Sequence, residues 1–409
     1  MSSPSADDDP LVPSAAGAQH RPHLMLLIGA FTALAPINTD LYLPLMPQMA
    51  HELGTTQAAA QATVSAVLLG LALGQIVVGP LSDAWGRRGP ALVGAAAFVI
   101  GNLASAVAPS IGSLLVIRFL AGLACAACVV VVRAVVTDVF DRPNAARAYA
   151  TLSAIVTVVP AIAPVFGGLL ALVMGWRWIF VVMAGLGLAV LAAGWRSLEE
   201  TLPAQRRREP HLGRVLADLG GLLGLRHFVA YVFCLAAAGG VLFAYIGASS
   251  FVLQGTFGLS PTAYGFVFAA NAFGIFAMAN VSRRLVGKTG PRRLLVVGQA
   301  SSFIGTLVLA GGMWRSSLPV VLLGLFVAVG SVGLVVGNSM ALGMRQAPER
   351  AGSASGLMGI AQFAFGAVMA AAAGLGASPW SMVAAMVVCA TLGPLLRAAL
   401  LSDAYEQPA

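Results

Sequence analysis

Charge is scarce in this chain. Of its 409 residues only 9% are charged, with 15 acids against 23 Lys and Arg and five histidines, where a soluble domain carries about 25% charged residues. A chain this poor in ionisable groups cannot clothe a water-soluble surface of its size. It also lacks the clusters that catalysis uses. The histidines, His20, His23, His51, His211 and His227, fall in tails, connections and span edges, so no metal-ligand spacing or acid–base constellation forms around them and an enzyme is not expected. The four cysteines lie in apolar stretches. Cys125-x-x-Cys128 has redox or metal spacing, yet no second pair or histidine group completes a site, and small thiols in a Gly/Ala-rich helix serve packing. No Gly-x-x-x-x-Gly-Lys-Ser/Thr phosphate loop occurs, which excludes ATP-driven work within this chain.

What the chain has in quantity is apolar length. It is 59% hydrophobic with a mean hydropathy of +0.89. Twelve apolar runs with few charges reach the ~20 residues that cross a hydrocarbon core of ~30 Å: 24–50, 58–81, 90–108, 112–136, 147–172, 176–195, 228–254, 262–282, 292–312, 318–343, 351–375 and 379–400. The fold class expected is an all-α membrane protein of twelve transmembrane helices, and no soluble catalytic domain fits in what remains. The net charge of +8 would suggest nucleic acid in a soluble chain. Here it has another source: nineteen of the 23 Lys and Arg lie in the connections after even-numbered spans or at the chain ends. By the positive-inside rule both termini are cytoplasmic, the protein sits in the cytoplasmic membrane, and nucleic acid is no partner.

The domain plan follows from the same count. Residues 1–22 read as a cytoplasmic tail, 23–196 as a first half of six spans, 197–226 as a cytoplasmic linker, 227–401 as a second half, and 402–409 as a tail. The halves echo each other at an offset of 204, with Gly86 matching Gly290 and Arg88 matching Arg292. Parallel six-span repeats are a plan of secondary transporters; a channel would show a filter or repeated pore helices instead.

Between spans 2 and 3 the chain reads Gly79-Pro80-Leu81-Ser82-Asp83-Ala84-Trp85-Gly86-Arg87-Arg88-Gly89. A tight glycine turn with one carboxylate beside two guanidinium groups makes a compact polar clasp. The order Gly-x-x-x-Asp-x-x-Gly-Arg-Arg resembles the signature loop of the major facilitator superfamily. Arg118 and Gly122 in span 4 resemble that superfamily's span 4 motif, and Pro160, Pro164, Gly167 and Gly168 in span 5 its antiporter motif. Thr39-Asp40-Leu41-Tyr42-Leu43-Pro44-Leu45-Met46-Pro47 is similar to the span 1 run of the Bcr/CflA drug-resistance transporters, with Leu41 where methionine is usual. Further matches at Arg133 to Asp138, Trp176 to Phe180 and Ala351 to Gly356 carry the likeness over nearly the whole chain. Thr137 departs from it, standing where the subgroup commonly has a basic residue. So does the loop Gly287 to Arg292, which lacks an acid at the Asp83 equivalent. The resemblance implies the two pseudo-symmetric halves of the major facilitator fold. It further implies drug:proton antiport, substrates such as phenicols, sulfonamides or bicyclomycin-like compounds, a monomeric transporter, and a gate in which Asp138 joins Arg87 and Asp83, with Arg133 close by.

Counting acids gives an independent pointer. Among the 15, Asp40 alone sits inside an apolar run. A carboxylate near the bilayer midplane costs about 2.5–3.5 kcal/mol on insertion scales and is a functional candidate by default. Burial in hydrocarbon favours the neutral form, which suits a group that binds and releases a proton near neutral pH. The competing reading is that span 1 ends near Pro44 and Asp40 caps its rim. Arg118 is the matching intramembrane base, able to pair with Asp40 in one protonation state and not the other, or to serve as a structural cation on backbone carbonyls. Candidate cavity residues are Asn38, Tyr42, Gln75, Tyr245, Asn271, Asn338 and Gln362, with Phe243, Phe268, Phe273, Phe276, Phe363 and Phe365 beside them. Asn102 belongs to the same intramembrane polar set. Such a lining, mostly apolar with few polar anchors, suits a small amphipathic drug better than a sugar. A same-fold exporter of a sugar, amino acid or other metabolite is the alternative. Protons, a small-molecule substrate and the lipid bilayer are the partners expected, with a proton gradient as energy source and no cofactor or metal.

Overall fold

The computed structural model describes residues 22–140, 142–207 and 212–401. The two tails and part of the linker, residues 208–211, lie outside it, so the readings made on 1–21, Arg208, His211 and 402–409 have no structural counterpart. The helices are α1 (Pro22–Asp40), α2 (Met46–Glu52), α3 (Gln57–Trp85), α4 (Arg88–Ala106), α5 (Ile111–Val139), α6 (Arg142–Leu170), α7 (Trp176–Ser197), α8 (Leu212–Leu223), α9 (Arg226–Ser250), α10 (Pro261–Thr289), α11 (Pro291–Trp314), α12 (Leu318–Gly330), α13 (Val332–Met344), α14 (Ala351–Ala372) and α15 (Pro379–Leu400). Among the described residues twelve units are long and apolar enough to cross a membrane, α1–α2 counting as the first and α12–α13 as the tenth. Their bounds follow the apolar runs closely, because backbone groups in lipid have no water to bond and the chain stays helical until it leaves hydrocarbon.

Local chemistry sets the ends. Thr56, Ser110, Ser260 and Ser378 accept backbone N–H bonds at the starts of α3, α5, α10 and α15. Gly86 and Gly290, with φ of 92° and 76°, stop α3 and α10 in a backbone region that favours glycine. The bounds of α3 and α10 coincide at an offset of 204 residues, and α1, α4, α5, α6 and α7 find their counterparts within a few residues of the same offset. The molecule is two pseudo-symmetric bundles of six spans. Within the first, α3 and α5 pack closely: a Cβ on Gly122 would meet the Val67 backbone at 2.9 Å, and one on Gly70 would meet the Gly122 Cα at 3.1 Å. Without a hydrophobic drive between helices in lipid, such small-residue seams hold them together.

Three features depart from the sequence reading. The first span is broken: α1 stops at Asp40, a short 3₁₀ turn covers Leu43–Leu45, and α2 resumes at Met46. Pro44 lacks the N–H that would bond the Asp40 carbonyl, and Pro47 lacks the one that would bond Leu43, so the ladder fails there. The second span of each half runs on past the apolar stretch, α3 to Trp85 and α10 to Thr289. The linker contains a helix, α8, whose Leu222 is buried in a cluster with Phe228, Tyr231 and Met358.

The two halves meet at the end of the bundle opposite the basic loops. Ser250 Oγ donates to the Leu43 carbonyl at 2.7 Å and Gln254 Nε2 to the Pro44 carbonyl at 3.0 Å. Thr262 Oγ1 donates to the Gly168 carbonyl at 2.9 Å. Between α3 and α14, Gln61 lies against Gly374 and Gln75 against Gly359. The same antiparallel register would bring Gly79 to Gly356, yet a Cβ on either would meet nothing within 4 Å. Those two helices have parted toward the basic end.

Candidate functional site

Asp40 ends α1 and is 3% exposed. Its Oδ1 has no hydrogen-bond partner among the described residues. The break that follows turns Tyr42 inward, where its hydroxyl bonds Thr63 Oγ1 of α3 at 2.9 Å. Across the pseudo-symmetry axis a second polar cluster faces it: Asn271 Nδ2 donates to Tyr245 OH at 2.9 Å, and Ser249 Oγ bonds Tyr264 OH at 3.1 Å. Tyr245 stacks on Phe268 with centroids 5.3 Å apart. The Asp40 carboxyl lies within electrostatic range of both the Tyr245 and Tyr264 hydroxyls. Asp40, Tyr42, Tyr245 and Asn271 thus gather where the halves meet, two supplied by each half.

Of the two readings of Arg118, the described conformation shows the cation on a backbone carbonyl and no ion pair with Asp40. Arg118, fully buried on α5, gives Nη1 to Asn38 Oδ1 at 2.9 Å and Nη2 to the Asn38 carbonyl. Its guanidinium lies 4.7 Å from the Tyr42 ring centroid and 5.2 Å from that of Phe180, so two aromatic faces stabilise a cation that has no carboxylate. The reason is geometric: Asn38 stands two residues before Asp40, on another face of α1, and its two oxygens match the guanidinium fork. Asn38 therefore holds Arg118 in this conformation.

The other lining candidates separate. Gln75 is half-buried and faces α14 across the seam. Asn338 spends its amide inside the second half, on Ser282 Oγ at 2.8 Å and the Leu334 carbonyl at 2.6 Å. Gln362 packs its stem against Gly239 of α9, where a Cβ would come within 2.7 Å. Asn102 turns its amide back onto the Phe98 carbonyl of its own helix at 2.9 Å. Phe243 and Phe268 are buried and Phe243 contacts Phe363 at 5.7 Å, whereas Phe273 and Phe276 are exposed.

At the basic end the clasp is formed. The Arg87 side chain gives Nε to Asp138 at 2.9 Å, and Nη1 to Asp83 at 2.6 Å and Ser82 at 2.8 Å. The bonds from Asp138 and Asp83 outweigh partial burial and hold its pKa above the usual arginine value. Arg133 stands outside: among the described residues its guanidinium bonds neither acid, and only its carbonyl is used, by Tyr149 OH at 2.9 Å. Arg88 turns away to the Trp195 carbonyl at 2.9 Å.

Two linker residues complete the clasp, and sequence reasoning missed both. Glu200 accepts from the Arg87 N–H at 2.7 Å and the Arg88 N–H at 3.2 Å, the unbonded donors at the start of α4. Partial burial pushes this carboxyl up, but the amides of Arg87, Leu202 and Arg88 and the nearby Arg207 together hold it below the ordinary glutamate range. Thr201 Oγ1 bonds Asp138 at 3.3 Å. The only sequence signal was an acidic pair just beyond span 6.

The proline and glycine stretch of α6 lies at the opposite end. Pro160 and Pro164 sit inside α6. A Cβ on Gly167 would press on the Leu41 carbonyl and come within 3.4 Å of Pro44 Cδ, and one on Gly168 would reach the Pro261 carbonyl at 2.6 Å. On α10, a Cβ on Gly265 would meet the Pro164 carbonyl at 2.5 Å. These glycines let α6 and α10 touch backbone to backbone.

Two pseudo-symmetric six-span bundles that part toward one end around a buried polar centre are the architecture of a membrane transporter. The chain matches the Major Facilitator Superfamily over residues 27–371 and belongs to that family. It is 32% identical over 376 residues to an uncharacterized transporter of the family, YdgK of Bacillus subtilis, covering 91% of this chain and 94% of that one. It is 27% identical over 351 residues to a bicyclomycin resistance protein homolog of Haemophilus influenzae, covering 84% and 87%. The fold matches a bacterial homolog of the human lysosomal transporter Spinster in an inward-facing, occupied conformation, with a TM-score of 0.71, 17% identity, and coverage of 93% and 97%. The protein is a multi-pass membrane transporter of small molecules rather than an enzyme.

Proposed function

We propose that this transporter exports small amphipathic drugs across the cytoplasmic membrane, driven by proton entry and without cofactor or metal. The observation that carries this reading is Asp40: a buried carboxyl with an unpartnered oxygen, set at the break in the first span where the two halves meet. A charge there is costly unless compensated, so its protonation state weighs on which arrangement of the halves is favoured. The name of the Haemophilus relative supports an antibiotic as cargo.

With the basic loops on the cytoplasmic side, the described conformation is closed outward by Ser250, Gln254 and Thr262 and parts inward between α3 and α14. Deprotonation of Asp40 toward the cytoplasm favours loading, and protonation from outside favours release. Across 100 mV one charge supplies about 2.3 kcal/mol and one pH unit about 1.4 kcal/mol, enough for a gradient of roughly a few hundredfold per proton. Export of a neutral compound is then electrogenic. Asp40→Asn in reconstituted vesicles is expected to abolish drug-driven proton movement while the protein still folds and binds drug. Normal proton coupling in that variant would remove Asp40 from the mechanism.

A further inference from the structure

One open apolar feature of the described surface is remote from the central site. α4 and α7 leave a groove of about 780 Å³ between them along the membrane-facing side of the first half. Val93, Ala96, Leu188 and Ala192 line its length, and Trp195 and Arg196 close its basic end. Val93, Leu188 and Trp195 are well exposed, at 68%, 56% and 67%. The walls carry no polar side chain until the last turn, where polarity changes abruptly. Arg196 is exposed and forms no ion pair among the described residues. The Arg88 guanidinium lies 5.6 Å from the Trp195 ring centroid and uses one nitrogen on the Trp195 carbonyl.

The geometry points to a binding site for an anionic glycerophospholipid. One acyl chain lies in the apolar groove, the Trp195 ring marks the level where hydrocarbon gives way to headgroups, and the phosphate sits between Arg196 and the free edge of Arg88. Tryptophan is enriched at that level because its ring is apolar and its N–H is not. The charge selects the headgroup. The acids closest in sequence do not neutralise these cations: Glu200 is engaged by the Arg87 and Arg88 amides, and Glu199 bonds neither Arg88 nor Arg196. Basic residues at a membrane surface favour anionic over zwitterionic lipid by about five-fold each. Because the Arg88 amide is also a donor to Glu200, lipid at this site adjoins the cytoplasmic clasp.

The test uses the full chain reconstituted in vesicles with phosphatidylglycerol or phosphatidylcholine carrying brominated acyl chains. Trp195 emission is taken as the difference between the native protein and Trp195→Phe. Brominated phosphatidylglycerol is expected to quench Trp195 at several-fold lower mole fraction than brominated phosphatidylcholine. Arg196→Gln should reduce that preference by about five-fold, and Ala192→Phe, which fills the groove, should weaken quenching by both lipids. Both variants are first shown to be folded by size exclusion and circular dichroism. Equal quenching by the two lipids in the native protein, or an unchanged preference in Arg196→Gln, would overturn the site. Loss of the preference on adding inorganic phosphate at matched ionic strength would show a free-phosphate site and overturn the lipid assignment.

Discussion

At the residue scale the centre of the molecule is divided between two groups that do not touch. Arg118 is held by Asn38 and two aromatic rings, while Asp40 is left with an unpartnered oxygen. Asn38→Ala removes one of the two oxygens on a buried guanidinium, and thermal unfolding in detergent should show a loss of about 1–3 kcal/mol. Asp40→Asn, which leaves the Arg118 contacts intact, should alter proton coupling far more than stability. The clasp at the basic end has a pH signature of its own. The Glu200 carboxyl is held below its ordinary value in the folded protein, so its contribution is complete above the ordinary glutamate pKa of about 4.3 and is lost as pH falls below it. Amide exchange at Arg87 and Arg88, corrected for intrinsic rates, is expected to accelerate through that acidic window. In Glu200→Gln the acceleration should be absent.

At the element scale two seams hold the described conformation. One is the broken first span, where Pro44 and Pro47 withdraw donors and the Leu43 and Pro44 carbonyls accept from Ser250 and Gln254 of the opposite half. Ser250 ends α9, and the six-residue π-helical turn that continues it, Phe251–Thr256, carries Gln254. The other seam is the backbone contact of α6 with α10. Gly168→Val would drive a branched side chain into the Pro261 carbonyl and the Thr262 Cα, where even a Cβ has 2.6 and 2.8 Å. Closure at this end should then fail, and transport should fall by more than ten-fold with the fold retained. Spin labels at Leu172 and Leu375, exposed turns of opposite halves, should report a longer distance in this variant than in the native protein. An unchanged distance would mean that the seam tolerates the added bulk.

Taken whole, the described molecule is a pair of six-span bundles. Each half has its own small-residue seams, and the contacts between halves cluster at the end away from the basic loops. If that closed end faces outward, cysteines placed in the loops that carry Arg87 and Arg345 should react with impermeant reagents only in inside-out vesicles. Expressing cells that lack their own pumps should gain resistance to a subset of amphipathic antibiotics. A protonophore should erase the gain, and a panel of sugars and amino acids should show no export.

Much of this architecture is legible in the amino-acid order. The twelve spans follow from apolar length because lipid leaves the backbone no partner but itself, and the repeat follows from glycines that stop equivalent helices at a spacing of 204. Asp40 stands out because a lone acid in an apolar run is rare. Tertiary structure alone decides who holds whom. Whether Asn38 or Asp40 takes Arg118 depends on the faces of α1, about a hundred degrees apart per residue, and the break after Asp40 turns those faces in a way that Pro44 only hints at. Arg133 looks as eligible for the clasp as Arg87 but points elsewhere, and the role falls partly to Glu200 and Thr201 from a linker far along the chain. Hydropathy is a local property that lipid reads one segment at a time, whereas hydrogen-bond partners are chosen among groups brought together only when the helices pack.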